Sequence, residues 1–247
     1  MSKWMLALAG AALLATGGCI KLDQEVTLKA DGSADVKTVY GMSEQAIAQL
    51  EAMKEMAKKN PNMKMQSTGP ELSFDEAKIR EEFQKQAAEG VELKSCKVET
   101  KDGWKFATIE IACKDLGAAS KAGRATGNKG GFSLTKNADG NYVLDLGGAK
   151  ELGGDNDKLT PEQKAQQQQM AKAMMAGMRV AMKFNLPGDV LETTSLEKSG
   201  RSASLVLDIS DDKFFEKSEQ MGKKGAQVIF SGKGLNLKEF KAEPAAK

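Results

Sequence analysis

The sequence predicts an α+β fold, with a mostly antiparallel β-sheet built from hairpins and three to four helices packed on it. Two observations support this class. Short runs of alternating apolar and polar residues occur in pairs joined by turns that contain Asp-Gly, a dipeptide typical of β-hairpins. Segments with helix-capping residues and apolar residues at helical spacing lie between these pairs. Hairpins that are grouped apart from helices favour an antiparallel sheet, because in a parallel sheet strands and helices alternate regularly along the chain.

The chain opens with a predicted signal peptide over residues 1–18. Lys3 precedes an apolar run over 4–15, which is shorter than the roughly 20 residues needed to cross a bilayer. Small residues then lead to Cys19, and the stretch ATGGC resembles the lipobox of bacterial lipoproteins. In that family the cysteine sulfur carries a diacylglycerol, and the cysteine becomes the new N-terminus. Two simpler interpretations are ordinary secretion with cleavage near Gly18, and an uncleaved N-terminal anchor.

The lipobox resemblance implies an exported protein that is anchored to a membrane through Cys19. Stable anchoring by acyl chains requires at least two of them, which a diacylglycerol supplies. Asp does not directly follow Cys19, and in Gram-negative lipoproteins Asp at that position favours retention at the inner membrane. If the source is Gram-negative, we therefore expect the outer membrane, facing the periplasm or the cell surface.

Composition narrows the classes of function. Hydrophobic residues make up 40% and charged residues 28% of the chain, as in an ordinary globular protein. A net charge of +2 offers no electrostatic basis for binding nucleic acid. The chain has no histidine, which removes the commonest general base and a common zinc ligand. We name no catalytic residue, metal site or cofactor, and we expect a protein that is not an enzyme.

The predicted N-terminal part covers residues 19–116 and has the order ββααββ. Its first hairpin turns at Asp31-Gly32-Ser33. Ser43 caps the first helix, and Ser73 caps the second with Glu76 as its partner in a capping box. The predicted elements are a hairpin over 23–40, helices over 44–59 and 74–89, and a hairpin with strands 91–100 and 105–113.

Cys96 and Cys113 remain if Cys19 is lipidated, and an even pair of cysteines in an exported protein predicts a disulfide. The two residues lie on adjacent predicted strands. A tight Asp102-Gly103 hairpin places Cys96 nearer to Ile109 than to Cys113, so the bond requires a bulge or a longer loop that shifts the register. The alternative is two buried free cysteines, which behave as small hydrophobic residues.

A flexible Gly/Ala joint is predicted over residues 117–131, where small residues are mixed with a few basic ones. The C-terminal part, residues 132–240, has the predicted order ββαββαβ, and we expect it to share one sheet or core with the first part. An Ala-Asp-Gly turn in each part leaves an internal duplication as an alternative. Residues 241–247 are predicted to be a disordered tail. Thr160 caps a helix, with Gln163 as its partner in a capping box. The later elements are a hairpin over 132–146, helices from 160 and over 211–221, and strands over 180–186, 190–194, 203–209, 226–231 and 235–240.

Methionines mark a candidate face for an apolar ligand. Met170, Met174 and Met178 follow one another at helical i, i+4 and i+8 spacing, and Met182 comes four residues later. Flexible thioether side chains line adaptable apolar grooves, so this face is a candidate site for an acyl chain. The alternative is that the same face only closes the core. Thioethers also bind soft ions such as Cu(I), which gives a third interpretation as a copper site. The other methionines considered for copper are Met53, Met56, Met63 and Met65.

The order of two short motifs resembles the layout of envelope lipoproteins with an LppM-like domain. The lipobox cysteine is followed at once by a hairpin containing VTLKADGS, residues 26–33. A later strand ends at Pro187-Gly188 within FNLPGDV, and a return strand follows at 205–209. The resemblance implies a module that binds lipid, glycolipid or another apolar envelope component. The alternative is a structural or assembly lipoprotein that binds a protein partner.

Overall fold

The computed structural model describes residues 20–59, 73–85, 89–125, 132–146 and 160–241. The predicted signal peptide, Cys19, Met63, Met65 and residues 242–247 lie outside these ranges. The described strands are β1 (Ile20–Leu28), β2 (Ala34–Ser43), β3 (Val91–Lys101), β4 (Trp104–Cys113), β5 (Ser133–Lys136), β6 (Tyr142–Asp145), β7 (Arg179–Asn185), β8 (Val190–Thr194), β9 (Glu197–Ser199), β10 (Ser202–Asp208) and β11 (Gln227–Phe230). The described helices are α1 (Glu44–Lys59), α2 (Glu76–Lys85), α3 (Leu116–Ala125), α4 (Pro161–Met174) and α5 (Phe214–Lys224).

Local turn chemistry sets the two long hairpins near the N-terminus. Between β1 and β2, the Asp31 carboxylate accepts hydrogen bonds from the Ser33 backbone N–H at 2.9 Å and the Ser33 hydroxyl at 2.7 Å. Between β3 and β4, the two turn residues have positive φ angles, 52° at Asp102 and 74° at Gly103. Two consecutive positive φ angles are typical of a type I′ turn, whose twist matches that of the flanking strands. Both predicted hairpins are therefore confirmed.

A seven-stranded sheet combines strands from both parts of the chain, in the order β3-β4-β2-β1-β7-β10-β9. β1 pairs antiparallel with β2 and parallel with β7. The parallel pair places Asp23 beside Ala181 and Glu25 beside Lys183. The other neighbouring strands of this sheet pair antiparallel. The predicted N- and C-terminal parts therefore share one sheet.

A four-stranded sheet, in the order β5-β6-β11-β8, packs against one face of the larger sheet. The chain passes from one sheet to the other at Pro187-Gly188, between β7 and β8. A Cβ atom at Gly188 would lie 2.2 Å from the carbonyl oxygen of Ser231. Since real Cβ atoms do not approach an oxygen so closely, this crossing requires glycine.

The main core lies between the two sheets, where Val26, Phe184, Leu144 and Phe230 are among the most deeply buried side chains. A smaller cluster lies beneath α2 and contains Tyr40, Ile79, Cys96 and Ala107. This layered arrangement of helices and mostly antiparallel sheets confirms the α+β class. In the described part of the chain, none of the helices is long and apolar enough to span a membrane.

The flexible joint expected at 117–131 requires a correction, because α3 occupies Leu116–Ala125. Ala118, Ala119 and Ser120 are buried there. The Ser120 hydroxyl accepts a hydrogen bond from the Phe132 backbone N–H at 2.9 Å and donates one to the Phe132 carbonyl at 3.1 Å. Small residues allow the helix to pack closely, a role that composition does not distinguish from flexibility. The remainder of the expected joint, 126–131, lies outside the described residues.

The expected capping box of α2 is also wrong. Asp75, and not Ser73, is the capping residue, because its carboxylate accepts a hydrogen bond from the Ala77 backbone N–H at 3.0 Å. Glu76 contacts a different element, and its carboxylate accepts a hydrogen bond from the Val98 backbone N–H of β3 at 2.7 Å. The carboxylate of Glu76 therefore ties α2 to the edge of the larger sheet.

Towards the C-terminus, one capping prediction is confirmed and two elements differ from expectation. Thr160 forms the predicted capping box with Gln163 at the start of α4. The helix expected from residue 211 begins at Phe214. The strand expected over 235–240 reduces to an isolated bridge between Phe240 and Leu134.

Candidate ligand-binding groove

The predicted methionine face does not form. α4 ends at Met174, and a turn with Gly177 at φ 79° follows, closed by a hydrogen bond from the Met178 N–H to the Met175 carbonyl at 2.8 Å. The helical spacing therefore stops before Met178. Met170 is 59% exposed, whereas Met178 and Met182 pack against the main core. The prediction failed because the four-residue spacing of the methionines continues past the end of α4, through the turn and into β7.

The copper interpretation loses its geometric basis for the same reason. Met170 and Met178 do not share a helix, so their thioethers are not arranged along one helical face. Met56 is 52% exposed on α1. Met63 and Met65 lie outside the described residues.

The predicted disulfide is contradicted, because Cys96 and Cys113 are free and buried. The two-residue turn pairs Cys96 with Ile109, and Cys113 lies four residues further along β4, opposite Val91. Four residues of a strand span about 13 Å, far beyond the reach of a disulfide. A bulge does occur in β3, between Leu93 and Ser95, but it lies beyond Cys96 from the turn and leaves that register unchanged.

A groove lies on the outer face of the seven-stranded sheet, opposite the four-stranded sheet. Side chains alternate between the two faces of a strand, so residues next to the buried ones point outward. The groove has a volume of about 350 Å³. We call it the outer groove, and its lining residues are Asp23, Gln24, Glu25, Lys37, Val39, Ala181, Met182, Lys183, Ser204 and Val206.

Apolar side chains form the floor of the outer groove on either side of Asp23, which pairs with Val39 of β2 and with Ala181 of β7. Val39, Ala181 and Val206 come from β2, β7 and β10, and Ala181 pairs directly with Val206 across the β7–β10 ladder. Val206 is 40% exposed, so its side chain is accessible to an apolar ligand. Met182, which packs against the main core, also borders this groove.

Charged side chains of both signs form the rim. Lys183 Nζ lies 3.2 Å from Glu25 Oε1, and the guanidinium of Arg179 forms an ion pair with Asp23. Lys37 Nζ lies 3.3 Å from Glu110 Oε1 of β4. Ion pairs this exposed contribute only about 0–1 kcal/mol each, so an incoming charged ligand can exchange partners with them at little cost.

Asn185 fixes the position of Glu25 on the rim. Its amide nitrogen donates to Glu25 Oε1 at 2.7 Å and to the Thr27 hydroxyl at 3.2 Å, while its amide oxygen accepts from the Ser202 hydroxyl at 3.0 Å. The hydrogen bond from Asn185, with the contact from Lys183, lowers the pKa of Glu25 below its ordinary value of 4.5. These contacts therefore favour the ionised form of the Glu25 carboxyl group.

Sequence reasoning missed the outer groove, although part of its signal was present. Val26 and Leu28 alternate with polar neighbours in the sequence, a pattern that places Asp23 and Glu25 on the opposite face of β1. The partnership of β1 with β7 was not visible, because it joins strands from the two ends of the chain. The apolar floor appears only when those strands lie side by side.

No protein-family model matches the chain. No curated protein matches it either. Among solved structures, the chain is similar to the NMR structure of the folded domain of the Mycobacterium tuberculosis LppM protein, with 12% sequence identity and a TM-score of 0.39. The alignment covers 87% of this chain and 90% of that chain. Similarity at this level assigns neither a family nor a function.

Proposed function

We propose that the chain is a lipid-anchored, non-catalytic lipoprotein of the bacterial envelope that binds an amphipathic envelope lipid in the outer groove. The observation that supports this most is the combination of an apolar floor, Val39, Ala181 and Val206, with a rim of paired charges of both signs. An acyl segment fits the floor. A phosphate fits Lys37 and Lys183, and a headgroup amine fits the carboxylates of the rim.

The size of the groove limits how much of a lipid it holds. Small-molecule sites usually measure about 300–1,000 Å³, and the outer groove, at about 350 Å³, is at the lower end of that range. The headgroup and the first part of one acyl chain fit such a volume, whereas two complete acyl chains do not. The rest of the lipid would stay in the membrane or in contact with solvent.

The energetics favour a weak site that works beside a membrane. Covering a floor of three small apolar side chains contributes about 2–3 kcal/mol, which alone corresponds to a Kd weaker than about 1 mM. Charge contacts at the rim add to this. Anchoring through Cys19 raises the effective concentration of lipid at the groove and makes weak intrinsic affinity sufficient. We propose the outer membrane as the location if the source is Gram-negative.

The alternative, an assembly lipoprotein that recruits a protein by adding a strand, has less structural support. In the larger sheet, the edge strand β3 carries a bulge and five charged side chains, and the other edge strand, β9, has only three residues, all exposed. Charges, bulges and short length are features that prevent strand addition at a sheet edge. The sheet edges therefore argue for a small ligand over a strand-adding partner.

A matched pair of substitutions tests the proposal. Val206 in the groove is 40% exposed and Leu191 on β8 is 39% exposed, and both lie on strands. We expect Val206→Lys to remove a bound lipid mass from native mass spectra of the Cys19→Ser chain purified gently from its own envelope. Leu191→Lys should keep it. Equal lipid occupancy in both variants would contradict the proposal, and so would a wild-type chain that copurifies with a protein and no lipid.

A further inference from the structure

Cys19 is joined directly to the first strand of the larger sheet. β1 begins at Ile20, and Ile20 already pairs with Met42 of β2. Consecutive Cα atoms are about 3.8 Å apart, so a lipid on Cys19 leaves almost no linker between the bilayer and the sheet. The residues at this end of the sheet are then held at the bilayer surface. We call this end the anchor end and define it by Ile20, Lys21, Trp104 and Phe106.

The anchor end presents a half-buried aromatic cluster. The Trp104 and Phe106 rings stack with centroids 6.0 Å apart, and Lys21 Nζ lies 4.0 Å from the centroid of the Trp104 ring. Phe106 lies across Gly41, where a Cβ atom would be 2.5 Å from its ring. Trp104, Phe106 and Lys21 are each only partly buried, and Ile20 is 36% exposed.

Register places this cluster at the end of the sheet where β1 begins. Lys21 pairs with Gly41, and Gly41 pairs with Phe106, so these three residues form one row across the sheet. Trp104 pairs with Ser43, two residues further along β2, on the side of the row from which the chain enters β1. The tryptophan is therefore the side chain of this cluster that lies nearest the membrane.

We infer that the anchor end docks on the bilayer, an inference that rests on the proposed lipidation of Cys19. In this arrangement Trp104 lies in the headgroup layer, and the outer groove opens just above that layer. Tryptophan prefers the membrane interface because its ring is apolar and its indole N–H remains hydrogen-bonded. Asp23 and Glu25 follow Lys21 by two and four residues on β1. The rim of the groove then lies roughly 7–14 Å from the headgroup layer, within reach of a lipid that has partly left it.

The charges at the anchor end indicate which kind of membrane surface it fits. Lys21, Lys101, Lys105 and Arg179 are positive, whereas Glu44, Asp102, Asp23, Glu99 and Asp208 are negative. Because neither sign dominates, attraction to anionic lipid does not supply the contact. The aromatic cluster supplies it, and docking is expected on a neutral surface as well as on an anionic one.

The mature chain contains its own reporter for this inference. The chain has two tryptophans, and cleavage before Cys19 removes Trp4 with the signal peptide, which leaves Trp104. The experiment uses the lipidated chain in phosphatidylethanolamine vesicles in which part of the lipid carries bromine near the headgroup end of its acyl chains. Bromine quenches tryptophan only at close contact.

We expect a roughly twofold loss of Trp104 emission and a blue shift when the vesicles contain brominated lipid. The matched control moves the tryptophan to the opposite end of β1, as Trp104→Phe with Ala30→Trp, about 30 Å away. This variant should show no quenching. Equal emission loss in both chains, or none for Trp104 in protein that floats with the vesicles, would overturn the docking geometry while leaving anchoring intact. Protein that fails to float would overturn both the anchoring and the docking.

Discussion

Burial of the thiol group decides the chemistry of both Cys96 and Cys113. Burial raises the pKa of the Cys113 thiol to about 11 and also raises the pKa of Cys96. The thiolate is the reactive form of cysteine, so a raised pKa slows both alkylation and disulfide exchange. Cys96 lies in the cluster beneath α2, whereas Cys113 lies in the main core. The two thiols therefore act as small apolar side chains in separate clusters.

This environment gives a prediction for thiol labelling. A shift from 9.0 to about 11 lowers the thiolate fraction of Cys113 at pH 8 about 100-fold. In the folded Cys19→Ser chain, we expect iodoacetamide to leave both thiols unmodified at pH 8, and to label both after unfolding in urea without reductant. Mass spectrometry measures the label. An unfolded chain that takes up no label and lacks two hydrogen atoms would show that the disulfide exists.

A helix that was expected to be a loop provides the next prediction. Ser120 of α3 is 2% exposed, and its hydroxyl satisfies both backbone groups of Phe132. Ser120→Ala leaves that N–H and C=O without their partner, and we expect the free energy of unfolding in urea to fall by about 1–3 kcal/mol. Ser218→Ala, in the half-exposed part of α5, is the control and should change stability by less than about 0.5 kcal/mol. Equal effects of the two substitutions would contradict the account of α3.

The contact between β1 and β7 predicts a pH effect at the groove rim. Asn185 and Lys183 lower the pKa of Glu25, so its carboxylate stabilises the fold above the ordinary value of 4.5, and this contribution disappears as the pH falls through the lowered pKa. The contribution is small because the Glu25 side chain is 44% exposed. Asn185→Ala should raise the Glu25 pKa towards 4.5, as measured by an NMR titration of the glutamate carboxyl. An unchanged pKa would exclude the proposed role of Asn185.

Elements set by neighbouring residues were predictable, and elements set by distant contacts were not. The Asp-Gly turns and the Thr160 capping box depend on a few consecutive residues, so the sequence signal was complete. The failed cap at Ser73 depends on a contact between Glu76 and Val98, 22 residues away. The methionine face failed because periodicity does not show where a helix stops. The charged residues that β1 contributes to the outer groove were predictable from its polar face. The residues from β7 were not, because the pairing of β1 with β7 joins distant parts of the chain.

At the scale of the whole molecule, the shared sheet decides how the chain unfolds. β1 lies between strands of the N-terminal part and strands of the C-terminal part, and one core cluster contains residues of both parts. Each part covers core residues of the other, which would be exposed if one part unfolded alone. We therefore expect the mature chain, residues 19–247 with Cys19→Ser, to unfold in a single transition.

Two probes check this cooperativity. Trp104 fluorescence reports on the β3–β4 hairpin of the N-terminal part, and far-ultraviolet circular dichroism reports on all helices and strands. Both should give the same urea midpoint, as in a two-state transition. A separation of the two midpoints would instead show two independently stable units and would support the view of the parts as a duplication.

The most direct test of the central claim locates a bound lipid on the protein. The lipidated chain, in membranes that contain a phospholipid with a photoactivatable diazirine in one acyl chain, is irradiated, digested and analysed by mass spectrometry. The account predicts cross-links on the peptides that carry Val39, Ala181 and Val206, the floor of the outer groove. Cross-links confined to α4, or to the anchor end alone, would contradict lipid binding in the outer groove.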